Sequence, residues 1–99
     1  MGPYALIKKM FSDPPDYRRK VLRALADAPD QWWNGSAIAQ EADVPIRDVY
    51  PSLIRIEKAG YIVATTQPGA DGKLQNCYQV TVEGVEALWS DLGEWPKKI

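Results

Sequence analysis

The segment from residue 44 to residue 88 constrains the fold of this chain more than any other part of the sequence. Its first apolar residues recur at spacings of three and four, at Ile46, Val49, Leu53 and Ile56. This spacing predicts a helix with one apolar face, and Gly60 fits the left-handed position that ends such a helix. Two runs of strand-forming residues, 61–66 and 76–81, then flank the turn-forming residues 68–72. A second apolar helical pattern follows, so the predicted order is helix, strand, turn, strand, helix.

The residues before this segment predict two more helices and a short strand. Apolar residues four apart predict a helix over 17–28, which Pro29 ends. The aromatic residues 31–33 are a candidate for a minimal strand that pairs with the later hairpin. Asn34, Gly35 and Ser36 are typical of a helix start, and residues 43–45 form the turn before the third helix.

Three helices followed by a β hairpin and another helix are the elements of a winged helix-turn-helix. We therefore predict an α+β, mainly α, fold: a three-helix core with a two- to three-stranded β wing and a C-terminal helix. The 99 residues suit a single winged-helix domain. Core and wing take up 12–81, and we expect flanking helices at 1–11 and 82–96 to form a dimer interface.

The composition is that of a globular domain, with 45% apolar residues. The sequence shows no apolar run of the ~18–20 residues needed to cross a membrane and no signal peptide. Its single cysteine, Cys77, cannot form an intrachain disulfide. We therefore expect a reducing, cytoplasmic setting without membrane association.

The charge balance does not by itself favour nucleic acid, since the net charge is −1 and the pI is about 5.3. The charges are nevertheless segregated. Residues 1–24 carry six basic and two acidic side chains, whereas residues 82–95 carry four acidic and no basic ones. Local fields decide binding more than the total charge does. The alternative, that these segments face each other or the solvent, stays open.

Two motifs carry a family resemblance. Residues 50–60 read Y-P-S-L-I-R-I-E-K-A-G, and residues 78–88 read Y-Q-V-T-V-E-G-V-E-A-L. Together they resemble the PadR-type transcriptional regulators, whose motifs are YPxLxRLExxG and YxLTxxG. The first motif is the more specific, because Tyr-Pro inside a recognition helix is unusual. The resemblance covers about residues 17–92 and implies a winged-helix repressor that binds operator DNA as a dimer.

The third helix holds most of the candidate DNA-binding residues. Arg47 and Arg55 are fork-shaped donors that suit guanine edges or phosphate oxygens. Asp48 and Ser52 are candidates for additional hydrogen bonds, and Lys58 for a phosphate contact. The alternative is a solvated helix face with ordinary charges.

Further candidates lie in and around this helix. If the third helix begins near Arg47 or Asp48, Pro51 lies at the end of its first turn, where its missing amide has no intrahelical partner to lose. Tyr50 either donates its hydroxyl to a phosphate or packs half-buried against the first helix. Ser36, at the second helix, either donates to a phosphate or acts as a plain N-cap. In the wing, Lys73 and Gln75 are candidates for backbone or minor-groove contacts, against the alternative of a passive hairpin.

The chain departs from the usual family pattern in the third helix and in the wing. Ile54 stands where PadR-type proteins commonly carry a polar or basic residue, and Lys73 is the only basic residue of the wing. The chain has four tryptophans. Trp89 and Leu92, with residues 4–11, are expected to form a seam between two subunits, because large apolar patches tend to be interfaces.

An enzyme is not expected. The chain has no histidine, the commonest general base and metal ligand. Cys77 lies in a strand pattern and is expected in the core. We predict no metal and no cofactor, and the sequence identifies no small-molecule effector.

These observations lead to one preferred function and one alternative. The preferred function is sequence-specific binding of double-stranded DNA by a small transcriptional repressor, with the helix at about 46–59 inserted in the major groove. The alternative is a winged-helix protein–protein interaction module that does not bind DNA.

Overall fold

The computed structural model describes residues 16–90. Within this range it contains four helices and three strands. In chain order they are α1 (Arg18–Ala26), β1 (Trp33–Asn34), α2 (Gly35–Ala42), α3 (Ile46–Lys58), β2 (Ile62–Pro68), β3 (Leu74–Val80) and α4 (Val82–Ser90). This order confirms the predicted winged-helix architecture, with its three-helix core, three-stranded sheet and following helix. The expectations for residues 1–15 and 91–96 lie outside the described residues.

The hydrophobic core lies between α1, α2, α3 and one face of the sheet. The largest fully buried side chains come from all of these elements: Val21, Leu22, Leu25, Ile38, Val49, Leu53, Ile56 and Ile62. Burying one such side chain stabilises a fold by about 1.5–3 kcal/mol before conformational entropy is subtracted. One member of the predicted stripe is not buried. Ile46, the first residue of α3, is 47% exposed because the helix begins before it reaches the core.

The sheet has the order β1-β3-β2, and both pairings are antiparallel. β2 and β3 form the wing hairpin, with Ile62 opposite Val80 at its base. The two-residue strand β1 pairs Trp33 with Tyr78 and Asn34 with Cys77, as the aromatic residues before the second helix suggested. Cys77 is buried, which confirms its predicted place in the core.

Asn34 joins the sheet to the helical core. It is the last residue of β1 and also the N-cap of α2, where its Oδ1 accepts a hydrogen bond from the Ala37 amide at 2.8 Å. A side-chain cap of this kind satisfies one of the helix's unpaired donors and contributes about 1 kcal/mol. The N-cap of α2 is therefore Asn34, and the expectation of a cap at Ser36 is wrong.

The turn between α2 and α3 sets the angle of the helix-turn-helix. Asp43 adopts the left-handed conformation, with φ of 56°, which short polar residues tolerate better than apolar ones. The amide of Val44 donates to the Ala39 carbonyl at 3.1 Å, and the Val44 side chain is buried. Pro45 then precedes α3 as its N-cap residue. These contacts fix where α3 leaves the core.

Thr81 connects the end of α3 to the start of α4. Its hydroxyl donates to the Gly60 carbonyl at 2.7 Å and accepts from the Gly84 amide at 3.1 Å. Gly60, with φ of 82°, is the predicted left-handed stop of α3. Gly84 is buried, and a methyl group there would come within 2.9 Å of Val80 Cγ2 and still nearer to the Tyr61 carbonyl oxygen. The second sequence motif therefore closes the wing onto the helices.

None of the helices in residues 16–90 has the length and apolar character that a membrane crossing requires.

Candidate nucleic-acid interface

The exposed face of α3 is the surface that best fits a groove of DNA. Its outermost residues follow a 4, 3, 4 spacing and lie opposite the buried stripe: Arg47, Pro51, Ile54 and Lys58. All four are exposed, whereas Val49, Leu53 and Ile56 on the other side of the same helix are buried. We call these four residues the α3 ridge. One face thus holds the helix on the core while the other stays available to a partner.

Arg47 projects from the first turn of α3. Its side chain is 86% exposed, and its Nε lies 3.9 Å from Asp48 Oδ2. Ion pairs at this exposure contribute little, so Arg47 can exchange this contact for a phosphate or base edge. Asp48 is the acidic residue of the first turn, where a carboxylate favours the positive end of the helix dipole. Its position supports a role in helix stability.

Arg55 is exposed on the edge of α3 that faces the start of α1. A side-chain hydrogen bond from Arg18, at 2.8 Å, is the main cause that lowers the pKa of the Asp16 carboxyl, and the positive charge of Arg55 lowers that pKa slightly further. Arg55 therefore lies within electrostatic range of an acidic group.

Ser52 does not face outward. It is only 6% exposed, and its hydroxyl donates to the Asp48 carbonyl one turn earlier, at 3.0 Å. A serine on the core side of a helix commonly satisfies its hydroxyl in this way. Ser52 is therefore removed from the set of residues expected to contact DNA.

Pro51 lies one or two residues deeper in α3 than predicted. The helix begins at Ile46, so Pro51 is its sixth residue and not part of the first turn. In a regular helix the amide at this position would donate to the carbonyl of Arg47, and proline has no amide hydrogen. The expectation that the proline removes no hydrogen bond is wrong. Pro51 leaves the Arg47 carbonyl without an α-helical donor on the exposed face.

Tyr50 packs on the start of α2. Its ring lies beside Gly35, where an added methyl group would be 2.7 Å from Tyr50 Cζ. The side chain is half-exposed, and Gly35 beneath it is buried. Ser36, the next residue, is exposed. The structure thus brings Tyr50 and Ser36 together beside the N-terminus of α2.

The wing offers a weakly charged surface. Lys73 is exposed at the hairpin tip, and its backbone amide donates to Asp71 Oδ1 at 3.0 Å. Gln75 is partly buried against the turn, 3.2 Å from the position of a methyl group placed at Gly69. The carboxylate of Asp71 therefore offsets the one positive charge of the wing. α3 carries three exposed basic side chains, Arg47, Arg55 and Lys58, whereas the hairpin carries one.

The part of the chain that the structure describes offers no metal-binding site. Residues 16–90 contain no group of three or more His, Cys, Asp or Glu side chains placed to hold a metal ion.

Comparison with known proteins supports the fold. No protein-family model matches the sequence, and no curated protein matches it. Solved structures do match. PadR from Bacillus subtilis, solved in complex with operator DNA, superposes with a TM-score of 0.64 at 17% identity, over 83% of this chain and 52% of that chain. A PadR-like transcriptional regulator from Bacillus cereus gives a TM-score of 0.59 at 21% identity, over 70% of this chain and 73% of that one. A mutant of MepR from Staphylococcus aureus gives 0.63 at 16% identity, over 98% and 69%.

The chain has the fold of winged-helix transcriptional regulators. Within this winged helix, α3 is the second helix of the helix-turn-helix, and the β2–β3 hairpin is the wing. The sequence motifs of the PadR-type resemblance fall on α3 and on the junction between the wing and α4.

Two residues that hold this site in place have local sequence signals but also contacts that the sequence does not show. A threonine before a helical pattern favours an N-cap, and Thr81 does accept from the Gly84 amide. Its second hydrogen bond, to the Gly60 carbonyl, depends on the tertiary fold. Asn34 is typical of a helix start, but its place in the sheet depends on a partner strand more than 40 residues later.

Proposed function

We propose that the protein binds double-stranded DNA sequence-specifically, as a small transcriptional regulator whose α3 enters the major groove. The observation that carries this proposal is the α3 ridge, which is exposed along three turns while the opposite face of the helix is buried in the core. A helix presented in this way is what the major groove admits.

The positions of the basic side chains on the ridge support insertion of α3 in the major groove. Arg47 and Lys58 are eleven positions apart, which places them about 16 Å from each other along the helix axis. The major groove is about 12 Å wide, so cations at this separation suit phosphates on its two sides. Arg55 adds a third cation at the edge of the same helix. Because phosphates position a protein and base edges specify the sequence, the middle of the ridge is left to read bases.

The structural neighbours support the same proposal. The Bacillus subtilis PadR structure is a complex with operator DNA, and this chain superposes on about half of that protein. Such binding would make the protein a repressor by occluding a promoter and would place it with DNA in the cytoplasm.

We further infer a two-fold dimer that uses α4 and the N-terminal segment. Trp89 on α4 is 83% exposed, and Val82 on the same helix is also exposed. Aromatic side chains are enriched at protein interfaces relative to the rest of the protein surface. Sedimentation at tens of micromolar tests this inference. A dimer in the wild-type protein that dissociates in Trp89→Ala supports it, and a wild-type monomer contradicts it.

Binding to duplex DNA across a range of salt concentrations tests the main proposal. A phosphate-contacting protein loses affinity steeply as salt rises, with a slope of about −0.9 per neutralised phosphate on a double-logarithmic plot. Arg47→Ala and Lys58→Ala should each weaken binding and reduce this slope by about one unit. Lys20→Ala is the matched control, because Lys20 is an exposed cation on α1 and not part of the ridge.

The rival function, a winged helix that binds only proteins, predicts a different result. Binding of random and genomic duplexes would then be negligible even at low salt, and Arg47→Ala would change nothing. The acidic balance of the chain and the nearly neutral wing are the observations that favour this rival. Selection of bound fragments from the source genome distinguishes specific from general binding.

A further inference from the structure

Ile54 occupies the middle of the α3 ridge. It is 55% exposed, one of the most exposed apolar side chains on the helices of residues 16–90. Pro51 precedes it by three positions and Lys58 follows it by four, so all three share one face. The ridge therefore has cations near its two ends and an apolar centre.

An apolar centre has a defined consequence inside a major groove. A branched aliphatic side chain displaces water from the base edges it covers and offers them no hydrogen bond. Cytosine, guanine and adenine present donors or acceptors there, and covering such a group without a partner is unfavourable. The thymine 5-methyl group is the apolar group that the major groove displays.

The basic side chains on both sides of Ile54 favour DNA over a protein as the partner of this apolar centre. A hydrophobic protein interface is usually depleted of charge in its centre and around its buried anchors. Here Arg47 and Lys58 lie on the same face as Ile54, and Arg47 is almost fully exposed. Cations on either side of an apolar centre suit phosphates on either side of a methyl-lined groove.

We propose that Ile54 reads thymine by contacting its 5-methyl group in the major groove. This inference rests on the proposed function and adds the specificity determinant. The preferred site carries thymine where Ile54 meets the groove. Pro51, beside Ile54, adds apolar surface but no donor, so the middle of the ridge selects by methyl contact and not by hydrogen bonding.

Replacing thymine by uracil tests the contact, because uracil lacks only the methyl group. A binding site is first obtained by selecting duplexes from a random pool with the wild-type protein. Each thymine of that site is then replaced singly by deoxyuridine, and the dissociation constant is measured. Loss of one buried methyl contact corresponds to a weakening of about fourfold. We expect this effect at one or two thymines of each half-site and little effect elsewhere.

The same series is repeated with Ile54→Ala. The proposal expects the variant to bind the thymine and uracil sites equally, because the side chain that senses the methyl group is gone. Ile54 is exposed, and alanine favours helices, so the variant should remain folded, which circular dichroism checks. Val63→Ala is the matched control, an exposed apolar residue on β2, and it should keep the wild-type response to uracil.

Two results would overturn the inference without touching the proposed function: a selected site that tolerates every uracil, or a uracil effect that persists unchanged in Ile54→Ala. If selection recovers no duplex at low salt, the proposed function itself fails, and the inference fails with it. An Ile54→Ala variant that loses binding of a protein while no duplex binds would assign the ridge to a protein partner.

Discussion

Tyr50 lies so close to Gly35 that the site between them has no room for a methyl group, since an added Cβ would be 2.7 Å from Tyr50 Cζ. This contact joins the middle of α3 to the first residue of α2. It supplements the left-handed turn at Asp43 in setting the angle between the two helices of the helix-turn-helix. Tyr50 thus positions the ridge whether or not its hydroxyl meets a phosphate.

Substitution at Gly35 should depend on Tyr50. Gly35 has no positive φ, so alanine fits its backbone and alone would stabilise by about 0.4–1 kcal/mol. In the wild-type background the clash with Tyr50 should reverse this sign, and Gly35→Ala should destabilise by about 1 kcal/mol or more. In a Tyr50→Ala background the same change should stabilise. Urea unfolding of the four proteins measures the coupling, and equal effects in both backgrounds would contradict the contact.

Thr81→Val should destabilise the protein by about 1–2 kcal/mol, because valine keeps the shape but loses both hydrogen bonds of the hydroxyl. Those bonds reach the Gly60 carbonyl and the Gly84 amide. Thr81→Ser keeps the hydroxyl and should retain most of the stability. Denaturant unfolding gives the comparison, and a serine variant as unstable as the valine variant would show that the methyl group matters instead.

Gly84→Ala should destabilise by about 1–3 kcal/mol, although helix propensity alone would favour alanine by about 1 kcal/mol. The new methyl group would meet the Tyr61 carbonyl, a backbone atom that cannot turn aside. Glu83→Ala, at the exposed neighbouring position, is the control and should change stability by less than about 0.5 kcal/mol. A stabilised Gly84→Ala variant would mean that α4 can move away from the wing base.

Asp71→Asn should strengthen DNA binding at low salt by about two- to fivefold, because it removes a negative charge beside Lys73. Asparagine can still accept the hydrogen bond that Asp71 Oδ1 receives from the Lys73 amide, so the turn should keep its shape. The gain should shrink as salt rises. Glu86→Gln on α4 removes the same charge elsewhere and serves as the control. An equal gain in both variants would indicate a general charge effect and not a wing near DNA.

Alkaline pH should weaken the fold through Tyr78. Burial is the main cause that raises the pKa of the Tyr78 phenol, and the nearby charges of Tyr50 and Glu57 raise it further. In the unfolded chain the phenol loses its proton near pH ~10, whereas the folded protein retains it to higher pH. The free energy of unfolding should therefore fall as pH rises above ~10, by at most about 1.4 kcal/mol per pH unit from this residue.

Tyr78→Phe should lose that part of the pH dependence, because phenylalanine has no phenol proton to lose. Urea unfolding between pH ~8 and ~11 compares the two proteins, and Tyr17→Phe is the control for removal of a phenol outside the sheet. Parallel curves for wild type and Tyr78→Phe would contradict the assignment.

The parts of the fold that follow from local spacing were predictable. The buried stripe depends only on residues three or four apart, and the structure buries Val49, Leu53 and Ile56 as predicted. The end of α3 at Gly60 is likewise a local feature and is found as predicted. Ile46 was assigned to the stripe because spacing alone cannot tell where a helix meets the core. The pairing of β1 with β3 was only a candidate, because it depends on a contact distant in sequence.

The candidate site was predictable in outline and less so in detail. The sequence predicts Arg47, Arg55 and Lys58 as contacts for DNA, and all three side chains are exposed. The sequence also makes Ser52 a candidate for a hydrogen bond to DNA, but Ser52 faces the core, because a small polar residue can do so when the helix backbone satisfies its hydroxyl. The depth of Pro51 was missed because the start of α3 was placed one or two residues late.

The double role of Asn34 couples the stability of two parts of the fold. The same residue pairs with Cys77 of the hairpin and caps α2. Local opening of the β1–β3 pairing would therefore release the residue that holds the first turn of α2, and fraying of that turn should accompany it.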